Sequence, residues 1–193
     1  MNRQADMIKN MPNREIIYHL YLTQCILLII SIVLGVMLFD DFSSFKNLWK
    51  IDTKIIVIGG AVALSVILID FILSKWLPKE MLDDGGINRL LFQNLNIIHI
   101  FFVCFIISFT EELLFRGVLQ THFGLIIASL IFALLHVRYL YKWVLLLAVI
   151  SLSFLLGYVY ELTQNLWITI FAHFLIDFVF AVKIRLDYLK GLN

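Results

Sequence analysis

Apolar residues fall along this chain in long blocks separated by short polar stretches, and neither the period-2 alternation of a surface strand nor a narrow amphipathic stripe dominates. An uncharged block covers residues 16–39, enough helix at 1.5 Å per residue to cross roughly 30 Å of hydrocarbon. A second covers 55–73, a third begins near 97 and runs into Thr110-Glu111-Glu112, and a short fourth covers 123–136. A fifth spans 142–160 and a sixth 166–182, with a basic tail behind it. Residues 1–15 form a polar tail and 40–54 a polar connection. The pattern predicts an all-α polytopic transmembrane helical bundle of about six spans. Two units follow: residues 1–84 with the tail and two spans, and a core of about four membrane helices over 85–193.

Finer features sharpen the elements. Gly59-Gly60 with Ala61 and Ala63 would let a neighbouring helix approach the second span closely. Pro78, Asp83-Asp84 and Gly85-Gly86 punctuate the longest polar stretch. Residues 87–95 read either as an amphipathic helix lying at the interface or as the first turns of the third span.

Composition agrees with a lipid solvent. Apolar residues make up 62% and the mean hydropathy is +0.95, against about 45–50% apolar in soluble domains. The net charge of +1 offers no basic field for nucleic acid. Cys25 and Cys104 stand alone in apolar segments, without disulfide or metal spacing. The first block is too long for a cleaved leader and reads as a retained span. Trp49, Trp76, Trp143 and Trp167 fall near predicted interfaces, and His19, His99 and His122 at snorkelling positions. Alternate loops carry Lys and Arg unequally: eleven on the side of both termini, four (Lys46, Lys50, Lys54 and Arg116) on the other. The positive-inside rule therefore predicts cytoplasmic termini. The residue usage fits a bacterial inner membrane.

Three polar clusters interrupt the spans, and ionisable residues in hydrocarbon are costly and usually functional. Glu112 and Arg116 are four apart on one helical face and can pair. Glu111 is rotated by about 100° and lacks that partner, which leaves it free to act as a base. His136 closes the fourth span in Phe132-Ala133-Leu134-Leu135-His136. His173 and Asp177 share a face in mid-span, where one can orient the other. Each cluster also has a structural reading: a buried network fixing helix packing for the first and an interfacial histidine for the second. Straight helices would put Glu111 and His136 at different depths, so the short fourth span would have to be broken, sunken or tilted. No HExxH, GxSxG, GxGD or GxxxxGK[ST] occurs.

The order EELLFRG at 111–117, FALLH at 132–136 and HFLID at 173–177 resembles the CAAX-protease and bacteriocin-processing (CPBP, or Abi) family of intramembrane proteases, over roughly residues 85–182. The resemblance implies an endopeptidase with Glu111 activating water, His136 assisting proton transfer, and His173 with residue 177 stabilising the oxyanion. Glu112, Arg116 and Phe132 would support them. The family often has Asn where Asp177 stands. An ionised Asp cannot donate to an oxyanion, so Asp177 would be protonated or would orient His173. A zinc-dependent version on Glu111, His136 and His173 stays open beside the favoured metal-free one. The substrates implied are hydrophobic, prenylated or leader-like peptides at the membrane, with the site reached from the cytoplasm. The rival is a non-enzymatic immunity or scaffold protein using the same network for packing. Oligomeric state is not legible.

Overall fold

A computed structural model describes residues 11–191, with the Asn13 side chain outside the description. The first ten residues of the expected polar tail, with Arg3 and Lys9, therefore lie outside the described residues. Every regular element described is helical. They are α1 (Asn13–Leu38), α2 (Phe42–Lys46), α3 (Gly60–Trp76), α4 (Lys79–Leu82), α5 (Ile87–Phe92), α6 (Ile97–Glu112), α7 (Thr121–Leu135), α8 (Trp143–Thr163) and α9 (Leu166–Leu189). A π-helical turn, Ile55–Gly59, leads into α3, and a longer π-helical stretch, Leu113–Gln120, joins α6 to α7.

Five continuous helical stretches among the described residues are long and apolar enough to cross a membrane. The chain is an integral membrane protein. Its outward faces are apolar without protein cover, as at Val36, Met37, Ile56 and Ile98, and lipid is the solvent that suits them. The third stretch, Ile97–Leu135, is 39 residues long and absorbs the expected third and fourth spans. It is not one straight rod. Gly124 has φ 81° and ψ 168°, a conformation open essentially to glycine alone, and the helix turns back there.

The turn resolves the depth problem. From Glu111 on to Gly124 is about 20 Å of helix, and from Gly124 back to His136 about 18 Å. The returning arm runs back beside the stretch that precedes Gly124, and His136 and Glu111 line one cavity. Phe115 and Phe132 meet edge to face across the fold-back, centroids 4.8 Å apart.

Contacts among the loops sort them onto two ends. The Asn165 amide donates to the Lys50 carbonyl (2.7 Å), and the Leu166 amide to that of Leu48 (2.9 Å), tying the 40–54 connection to the start of α9. At the other end Arg138 reaches Asn88 (3.2 Å) and Arg185 donates to the Gln93 carbonyl. This is the partition the Lys/Arg count required, and Arg116, counted with the sparse side, is fully buried.

Helix α5 is separate from α6, because the Asn96 side chain accepts from the His99 amide (2.8 Å) and starts a new helix. Its Ile87, Leu91 and Phe92 are buried against α1 and α9, so it packs on the bundle instead of merely preceding a span. Gly59 lies where a Cβ would stand 2.9 Å from the Ile168 carbonyl, so only glycine lets α9 come this close; at Gly60 there is open space. Trp49 and Trp167 pack on each other (5.3 Å) and on Phe109, whereas Trp76 and Trp143 are exposed. His99 accepts or donates to the Tyr21 hydroxyl (3.0 Å), a partner the snorkelling reading did not foresee.

Candidate active site

The last turn of α6 carries two adjacent carboxylates with different surroundings. Glu112 is fully buried, and its Oε2 lies 3.3 Å from Nε of Arg116, the expected i,i+4 pair. Its Oε1 accepts from Nδ1 of His173 on α9 (3.0 Å). Nε2 of His173 in turn lies 3.5 Å from Asp177 Oδ2. Arg116, Glu112, His173 and Asp177 thus form one chain of alternating charge types, and the two expected pairs are its ends. The link between them, across 61 residues, was not readable from spacing.

Arg116 is fully buried and held from outside its own helix. Its Nη2 donates to the carbonyl (3.2 Å) and hydroxyl (3.3 Å) of Ser153 on α8, and its guanidinium covers the Phe132 ring at 5.4 Å. That ring face partly replaces the partner that Nη1 lacks. The π-helical stretch around Arg116 leaves its carbonyl to the Thr121 hydroxyl (3.0 Å). A buried pair of this kind is dismantled at high cost, about 3–5 kcal/mol when one partner is removed, because the other is left as an uncompensated charge.

Glu111 is rotated away from this network. It is half-buried, forms no hydrogen bond or ion pair with a described residue, and lies on the wall of a cavity of about 830 Å³. The same cavity is lined by His136, His173 and Asp177, so the four residues singled out from sequence converge on one space. Nδ1 of His136 faces the Phe132 carbonyl at 2.9 Å. A carbonyl only accepts, so Nδ1 carries a proton, and in the neutral ring Nε2 keeps its lone pair. Phe132 and Tyr139 flank the ring, at 4.6 Å and 6.0 Å between centroids.

The arrangement can support general-base chemistry. A carboxylate without a cation of its own, a neutral imidazole nitrogen and an imidazole facing two carboxylates surround space enough for a peptide and water. Among the described residues no three His, Cys, Asp or Glu side chains are grouped to hold a metal ion, and both nitrogens of His173 are turned toward carboxylates.

Sequence reading missed several wall residues. Gln24 of α1 takes the Thr110 hydroxyl, next to Glu111, and lines the cavity; Ser153, which holds Arg116 away from the cavity wall, was one serine among several. Arg138 entered only as a topological charge, Asn88 only as part of the 87–95 segment, and Tyr139 not at all. His19, read as interfacial, also lines the cavity.

The chain resembles known proteins in sequence. Residues 93–179 match the family model described as type II CAAX prenyl endopeptidase Rce1-like. The uncharacterized protein YpbD of Bacillus subtilis (strain 168) is 48% identical over 170 residues, covering 88% of this chain and 90% of that one. No solved structure matches the chain. With EELLFRG, FALLH and HFLID all inside the matched segment, the chain belongs to the Rce1-like CAAX prenyl endopeptidase family of membrane proteins.

Proposed function

We propose that this protein is an intramembrane endopeptidase that hydrolyses a peptide bond in a membrane-associated tail with glutamate-activated water. The observation that carries the reading is the contrast between the two glutamates: Glu112 is bound on both oxygens, and Glu111 is free on the cavity wall.

In this reading Glu111 removes a proton from a water held between it and His136 Nε2. The hydroxide adds to the scissile carbonyl carbon, and the carbonyl electron pair becomes an oxyanion. His173, protonated on both nitrogens between Glu112 and Asp177, stabilises that oxyanion through its Nε2–H, and Asp177 orients the ring. The proton held by Glu111, relayed through His136, passes to the amine as the C–N bond breaks. Glu112, Arg116 and Phe132 keep His173 and the α6 turn in place. No metal takes part. Such base and proton-shuttle roles contribute about 10²–10⁴-fold each.

The substrate is a hydrophobic or prenylated peptide tail, since apolar Leu145, Val149 and Leu152 line the same cavity. The cavity lining extends to the end of the bundle holding Asn88 and Arg138, which the charge bias assigns to the cytoplasm. The setting is a bacterial inner membrane with both termini inside.

The test is incubation of purified protein in detergent with quenched prenylated and unprenylated peptides, mapping products by mass spectrometry. Specific cleavage that resists a chelator is expected. A folded protein that cleaves no peptide would point to a binding or immunity role.

A further inference from the structure

We propose that Gln24, on α1 and outside the segment the family model matches, is a second donor to the oxyanion: its side-chain amide meets the scissile carbonyl oxygen from the side opposite His173. The inference rests on the protease reading and adds a catalytic residue to it.

Helix α1 turns much of its surface to lipid, as at Leu22, Ile26 and Ile29. Two of its hydroxyls fold back on the helix itself: Thr23 donates to the His19 carbonyl (2.8 Å) and Ser31 to that of Leu27 (2.7 Å). Gln24 behaves differently. It is 6% exposed near the middle of α1, and an unpaired carboxamide is costly in hydrocarbon. Its Oε1 takes the Thr110 hydroxyl on α6, 86 residues away. That bond occupies one half of the amide. Nε2 has no partner among the described residues, and Gln24 lines the cavity that Glu111, His136 and His173 share. A tether between α1 and α6 needs the oxygen alone. The NH2 group can only donate, and it is left for an acceptor in the cavity.

Helix geometry puts this donor beside the reaction. Thr110, Glu111 and Glu112 are consecutive on α6, each turned by about 100° from the last. Thr110 holds Gln24 on α1, and Glu112 holds Nδ1 of His173 on α9 (3.0 Å). Glu111 therefore points between the two side chains that its neighbours hold. A carbonyl carbon attacked by water from Glu111 stands between α1 and α9, with Gln24 Nε2 on one flank of its oxygen and His173 Nε2 on the other. Without Gln24 the oxyanion rests on His173, because an ionised Asp177 only accepts. As hydroxide adds, the carbonyl electron pair moves onto oxygen, and the Gln24 N–H strengthens its bond to that oxygen without giving up a proton.

The experiment measures kcat, KM and melting temperature for wild type, Gln24→Met, Gln24→Glu and Thr110→Val in one detergent with one cleaved peptide. Gln24→Met keeps the length of the side chain and loses the donor. Gln24→Glu also loses the donor but keeps an acceptor for Thr110, and so keeps the tether to α6. Thr110→Val cuts the tether and keeps the donor. Both Gln24 variants should lose about 10²–10³-fold in kcat with KM little changed, the usual effect of removing one oxyanion donor. Thr110→Val should lose less than about tenfold, the contribution of one neutral hydrogen bond. Equal losses in Gln24→Met and Thr110→Val would make Gln24 a packing contact and overturn the inference. Wild-type kcat in Gln24→Glu, or a loss confined to KM, overturns it as well, and each of these results leaves the protease reading intact. If wild type cleaves no peptide, the protease reading falls and this role falls with it.

Discussion

Oε1 of Glu112 accepts a hydrogen bond from Nδ1 of His173 at 3.0 Å, joining α6 to α9 in the middle of the bundle. With Arg116 on its other oxygen, Glu112 is the fully buried centre of the network and is not on the cavity wall, and it behaves as structure. Glu112→Gln should keep the shape but leave Arg116 as an uncompensated buried charge. We expect a loss of about 3–5 kcal/mol in unfolding free energy. The double variant Glu112→Gln/Arg116→Leu should lose less than the sum of the singles, read by thermal unfolding in detergent.

Gly124 is where the chain reverses. Its φ of 81° and ψ of 168° suit glycine, and a Cβ there would meet nothing within 4 Å. The cost of Gly124→Ala is therefore backbone strain, about 1–3 kcal/mol, and not a clash. If the strain is relieved by straightening α7, His136 moves away from Glu111. Turnover should then fall by more than the stability loss explains, measured as kcat/KM on protein that remains folded.

His136 is held by neighbours as well as by its own bond to the Phe132 carbonyl. His136→Phe should retain packing between Phe132 and Tyr139 and stay folded. Turnover should fall by about 10²–10⁴-fold, the usual worth of a positioned proton-transfer group. Full activity in this variant would remove His136 from the mechanism.

Asp177 decides between two roles for one position. If it orients His173 from 3.5 Å, Asp177→Asn should be tolerated, because an amide can still face the imidazole and can also donate to the oxyanion. We expect activity within about tenfold of wild type, and Asp177→Leu to lose far more. A pronounced loss in Asp177→Asn would mean that the negative charge itself is required.

Much of this was legible in the sequence for identifiable reasons. Hydrophobic blocks fix spans because lipid demands them, and i,i+4 spacing revealed Glu112–Arg116 and His173–Asp177 because helix geometry is local. Glu111 stood out by the same local argument. Long-range partners were not legible. Ser153 under Arg116, Gln24 beside Thr110 and the Glu112–His173 bond depend on which helix faces which. A returning fourth span was expected, but not that the reversal sits at Gly124, because one glycine in an apolar run does not announce such a backbone conformation. Arg138 was hidden for another reason: a cation two residues past a span end is the usual topological signal, and its place on the cavity wall shows only in the fold.

The central claim is that Glu111, and not its neighbour, activates water. The most direct measurement is the turnover of a cleaved peptide by wild type and Glu111→Gln, with melting temperatures taken on the same samples and a chelator in a parallel set. Glu111 holds no described partner, so the amide should leave the melting temperature unchanged while turnover falls by about 10²–10⁴-fold, and the chelator should leave wild-type turnover intact. Turnover retained in a folded Glu111→Gln protein would contradict the account.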